Sequence, residues 1–185
     1  MIDEELSSDE SEDASKKPKE YFGKYRGMVI NNIDPMLMAR IQVSVPDVSG
    51  VLPTTWAMPC LPVGGIQMGI VTVPPVGAGV WVEFEQGDPD YPIWVGCYWG
   101  SAAEIPSLSK TAAPGLAAIT LQTTLANGIV VSDTPGLTGG IMLKSMLGAS
   151  VIVNDTGIYI QNGKGASLTL VGPTVTINAG ALTIV

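Results

Sequence analysis

At 185 residues the chain has room for one or two domains. It carries 9 Lys and Arg against 17 Asp and Glu, a net charge of −8, and no histidine. These features exclude histidine-activated nucleophiles and histidine metal sites, and they disfavour a phosphate-binding surface. With 22 Gly, 14 Pro and no segment of helical period, the composition belongs to strands and turns, and the fold class is all-β.

Residues 1–20 form an acidic tail, in which Asp3, Glu4, Glu5, Asp9, Glu10, Glu12, Asp13 and Glu20 stand against Lys16, Lys17 and Lys19. Such a stretch has too little apolar surface to fold alone. It is expected to lie along a partner surface with complementary basic groups. It has neither the apolar core of a signal peptide nor, like the rest of the chain, a run near the ~20 apolar residues of a membrane helix. The expected localisation is therefore synthesis and assembly in the cytoplasm, with action outside the cell afterwards.

Residues 21–100 read as a small β-barrel. Val80, Val82 and Phe84 alternate with Trp81, Glu83 and Glu85, the period of a half-buried strand. Gln86 to Pro92 supplies a turn, after which Ile93, Val95 and Cys97 resume the alternation as a return strand. Asp88 and Asp90 suit bonds to their own turn backbone better than a cation site. Trp81, Trp94, Tyr98 and Trp99 could stack bases, but Lys24, Arg26 and Arg40 are too few cations for nucleic acid, so these rings are expected to pack. Cys60 and Cys97 lie on or beside predicted strands and are expected to be reduced, buried packing residues.

Residues 101–115 are small residues and prolines, a linker. Residues 116–185 alternate cleanly, with Ile158 and Ile160, Leu168 and Leu170, Val175 and Ile177, and Leu182 and Ile184 flanking Tyr159, Thr169, Thr176 and Thr183. Each strand thus has one apolar and one polar face, and Thr156-Gly157 and Asn162-Gly163 mark the turns. A segment this short cannot close a core alone and would leave open edges, which a stacked β-helix or β-prism resolves. Ala181-Leu182-Thr183-Ile184-Val185 continues the alternation without a polar cap, an end expected to require a covering element.

Pro75-x-Gly77, Val80-x-Val82-x-Phe84, Gly87-Asp88-Pro89, Pro92 and Gly96 follow a particular order, preceded by Ala39 to Pro46 and Trp56 to Pro59. Over roughly residues 25–100 the chain resembles the OB-fold domain of baseplate assembly protein V and of the VgrG-type spikes of contractile phage tails and type VI secretion. The resemblance implies an N-terminal OB-fold barrel followed by an intertwined trimeric β-helix or β-prism needle. About eight strands per face would make the needle ~40 Å long. Ile158, Ile160, Leu168, Leu170, Val175 and Ile177 would form the trimer core. The implied function is a non-enzymatic central spike without cofactor or metal. It would seat on a separate baseplate hub protein, and residues 181–185 would bind a cone-shaped tip protein of the PAAR-repeat type. The target cell membrane would be met on firing, within a phage tail, tailocin or extracellular injection particle. The chain departs from some relatives: it has no lysozyme-like insertion, no large N-terminal hub domain and no histidines for an iron site. Two other classes fit less well. One is an OB-fold module for nucleic acid or glycan on a β-helical oligomerisation stalk, and the other is a trimeric β-helix enzyme acting on polysaccharides.

Overall fold

The computed structural model describes residues 19–184, in which strands dominate. The acidic tail up to Pro18, with its expected partner surface, and Val185 lie outside the described residues. The chain divides into two compact units, ending and beginning at Gly100 and Ser101.

The first unit is a curled five-stranded sheet, consistent with an OB-fold. Its strands are β1 (Tyr25–Asn31), β2 (Gln42–Ser44), β3 (Met58–Pro59), β6 (Gly79–Phe84) and β7 (Pro92–Tyr98), in the order β2-β1-β6-β7-β3. A small hairpin, β4 (Gly64–Gly65) with β5 (Met68–Gly69), stands apart from that sheet, and the short helix α1 (Pro46–Ser49) follows β2. The core is Val29, Ile41, Val43, Val45, Ala57, Val80, Val82, Phe84 and Trp94. The alternation of β6 survives intact, with Val80, Val82 and Phe84 buried and Trp81 and Glu83 half-buried. Tyr21 joins the same unit: its N–H donates to the Gly87 carbonyl (2.8 Å), and its ring packs beside those of Tyr25 and Phe84.

The return strand departs from the expected phase. Pro92 and Trp94 face inward, while Ile93 and Val95 are half-buried and Cys97 is exposed. The register beside the turn sets this phase, because Phe84 pairs with Pro92, and a bulge follows. Val82 pairs with Trp94 but Trp81 pairs with Gly96, leaving Val95 as the extra residue. Trp94 thereby buries its large ring and donates its indole N–H to the Ala39 carbonyl (3.2 Å). Both cysteines are free, as expected, but both are exposed rather than buried. At the turn, Asp88 Oδ1 accepts from the Asp90 N–H (3.0 Å), a bond within the loop's own backbone.

The second unit is one eight-stranded antiparallel sheet in which every strand pairs with its neighbour in sequence. The strands are β8 (Ala118–Gln122), β9 (Gly128–Ser132), β10 (Gly140–Lys144), β11 (Ala149–Asn154), β12 (Gly157–Asn162), β13 (Ser167–Val171), β14 (Thr174–Ile177) and β15 (Leu182–Ile184). Side-chain acceptors hold the corners. Asn154 Oδ1 takes the N–H groups of Thr156 and Gly157, and Asn162 Oδ1 takes those of Lys164 and Ala166. Gly163, at φ 71°, sits where a Cβ would collide with the Leu147 carbonyl, so glycine is required there.

Candidate functional site

Sheet register brings the apolar residues of the second unit into two continuous columns on one face. Ile119, Val131, Ile141, Val153, Ile158, Leu170, Val175 and Ile184 form one. Leu121, Ile129, Leu143, Val151, Ile160, Leu168, Ile177 and Leu182 form the other. Every strand contributes one residue to each column, because side chains two apart point the same way. All six residues expected in the trimer core lie on this face. Ile158 and Ile160 are exposed, while Leu168, Leu170, Val175 and Ile177 are half-buried. Exposure rises at both ends of the columns, to 65 % at Ile119 and 56 % at Ile184.

The opposite face has another chemistry. Its central column runs Thr120, Val130, Met142, Ile152, Tyr159, Thr169 and Thr176. The hydroxyl of Tyr159 shares a 2.7 Å hydrogen bond with Thr156. An apolar strip of this length, open to water in the single chain, has the character of an interaction surface. The edge strand β15 carries exposed Leu182 and Ile184, two of the five residues expected to meet a tip protein; Ala181 beside them is also exposed.

The barrel offers a second cluster that the sequence reading missed. Asp34 is buried at 6 % exposure and grips Arg40, with Nη2 to Oδ1 at 2.7 Å and Nε to both oxygens at 3.1 Å. The N–H groups of Met36, Met38 and Arg40 close on the same carboxylate. The Arg40 hydrogen bond, helped by these amides, holds the Asp34 carboxyl well below the usual carboxylate range. The clamp fixes a loop that presents Met36 and Leu37 to solvent, with Leu37 92 % exposed. Nothing in the spacing of Asp34 and Arg40 announces this, since Asp34-Pro35 reads as an ordinary turn.

The barrel's cations are therefore already engaged. Arg40 is held by Asp34, Lys24 pairs with Glu83, and Arg26 lies over the rings of Trp81 (5.3 Å) and Tyr98 (5.1 Å). Among the described residues, no group of three or more His, Cys, Asp or Glu is placed to hold a metal ion, and no helix is long and apolar enough to cross a membrane.

Two family models match the chain, each over one of the units. Residues 25–99 match the type VI secretion system/phage-baseplate injector OB domain, and residues 118–183 match the phage baseplate V C-terminal trimerisation domain. The chain belongs to the phage baseplate V family. The matched boundaries coincide with the first residue of β1 and the first of β8. Both matched domains are structural modules of a baseplate or injector, which makes this baseplate V-type chain a structural spike component. A search of curated proteins returns no match.

Proposed function

We propose that the chain is the non-enzymatic, homotrimeric central spike of a contractile injection machine. The observation that carries this reading is the pair of unbroken apolar columns on a sheet matched by a trimerisation domain. Three such sheets would turn their columns toward a common axis and bury them, leaving Thr169, Thr176 and their neighbours on the flanks. The stacked strands, seven spacings of about 4.8 Å, would give each wall a height of about 34 Å. Hydrogen-bonded ladders along that height would make the needle stiff. Sheath contraction would supply the force, and the OB barrel would seat on a separate hub. The exposed edge of β15 supports a small tip protein bound by strand pairing and by Leu182 and Ile184.

The engaged state of Lys24, Arg26 and Arg40 favours this reading over nucleic-acid binding, whose affinity rests on cations available to phosphates. Mass photometry of the purified chain together with an electrophoretic shift assay tests the choice. A trimer that leaves single-stranded DNA unshifted is expected, and a monomer that shifts it would refute the spike.

A further inference from the structure

The stretch 101–115 has the composition of a flexible linker, yet its second half is built into the trimerisation unit. A 3₁₀ turn (Ser107–Thr111) places Leu108 at 5 % exposure against the start of the sheet. A Cβ on Gly128 would come within 2.6 Å of Leu108 Cδ1, so the glycine makes room for the leucine. Polar bonds fasten both sides: the Leu108 N–H donates to Gln122 Oε1 (2.8 Å) and the Ala113 N–H donates to Thr134 Oγ1 (2.9 Å). Thr134 is in turn fixed to Ser132 Oγ, also at 2.9 Å. Val130 and Ser132, on the face opposite the apolar columns, are buried.

We infer that residues 106–113 are a latch, which locks the segment entering the second unit onto the face of β8 and β9 opposite the apolar columns. The latch rests on the spike reading for its purpose, because a loose segment would absorb axial displacement where a docked one passes it to the strands. Its physical basis stands within one chain. Leu108 is the one large apolar side chain of the turn, and Gln122 and Thr134 are its two polar fasteners.

The chain carries its own reporter. Lys110 is the sole Lys or Arg between Arg40 and Lys144, so trypsin cutting there severs the docked segment itself. Cleavage of a docked segment requires local opening, so its rate reports how often the latch releases. In the full-length protein, Lys110 should be cut at least about 100-fold more slowly than Lys16, whose acidic surroundings cannot fold alone, and Leu108→Ser should raise its rate at least about 10-fold. Gln122→Met, which keeps bulk and removes the acceptor, should raise it by a smaller factor. Lys110 cut as fast as Lys16 in the unmodified protein would overturn the latch, whatever the variants do. An unchanged rate in a folded Leu108→Ser protein would overturn it too. Size-exclusion chromatography of the same samples reports the trimer separately. A monomeric but protease-resistant chain would sink the spike reading and leave the latch, and a trimer readily cut at Lys110 would do the reverse.

Discussion

Replacing Ile160 by Asp addresses the apolar columns directly. Ile160 sits between Val151 and Leu168 in the middle of its column and keeps 40 % of its surface exposed in the single chain. Full burial of an isoleucine side chain contributes about 1.5–3 kcal/mol, so covering the exposed part adds about 0.6–1.2 kcal/mol per chain and about 2–4 kcal/mol per trimer. Aspartate loses that and adds an ion whose burial costs several kcal/mol even after relaxation, so three of them near one axis cost more than about 10 kcal/mol. That corresponds to roughly seven decades in the association constant. At micromolar concentration Ile160→Asp should therefore run as a monomer in size-exclusion chromatography. Thr169→Asp is the control. Thr169 lies between Tyr159 and Thr176 on the other face, where a charge stays in water and the trimer should persist. The pH dependence has a definite sign. An aspartate in the column would have its pKa raised by burial and by its two copies, so the penalty is absent below about pH 4 and grows as pH rises above it. Ile160→Asp should regain trimer on acidification toward pH 4. Identical elution of the two variants at neutral pH would refute the assignment of faces.

Asp34→Ala would strand Arg40 and three backbone amides, and the barrel's melting temperature should fall by more than about 5 °C in calorimetry. Because the Asp34 carboxyl is depressed in the fold, its stabilisation is present above about pH 4 and is lost as pH falls further, so the unmodified barrel should lose more stability below pH 4 than the variant does. Gly79→Ala would set a methyl 2.7 Å from the Tyr98 ring, displacing it from Trp81 and Arg26; the near-ultraviolet dichroism of the aromatic group should weaken. Thr120 Oγ1 is buried without a hydrogen-bond partner, so Thr120→Val should be neutral or raise the melting temperature by a few degrees, whereas Thr120→Ala should lower it. Ending the chain after Gly180 removes β15, one of eight strands, so the trimer should persist while pull-down of a tip protein is lost, and undiminished capture would remove β15 from that interface.

Legibility followed the locality of the cause. Val80, Val82 and Phe84 declared their strand because one face is core and the other is not, and Ile158 to Ile184 did the same. The earlier strands of the same sheet were harder to see, because Met142 and Ile152 put apolar residues on the second face and blur the period of two. The bulge at Val95 was invisible, since only the packing of Trp94 inside the barrel decides which residue is skipped. The cysteines misled because free thiols are usually buried, whereas here one lies at the end of β7 and the other just after the edge strand β3. The Asp34 clamp and the docked Leu108 share an origin in contacts that close loops upon distant backbone, and no spacing rule encodes them.

The pairing order of the second unit has a consequence for how the trimerisation domain is made. Each strand from β8 to β15 bonds to its immediate successor through a short turn, so nearly every contact closes a small loop of chain. Loop-closure entropy is then low at every step, and such a meander can zip from any corner without waiting for distant segments. Sheet formation should therefore outrun the meeting of three chains, which is bimolecular and slows on dilution. In that interval a newly made chain displays its full apolar face to water, and the hazard it faces is off-register capture by another copy. Synthesis from clustered ribosomes on one message would shorten the interval, so the yield of native trimer should track local translation density more closely than total protein concentration.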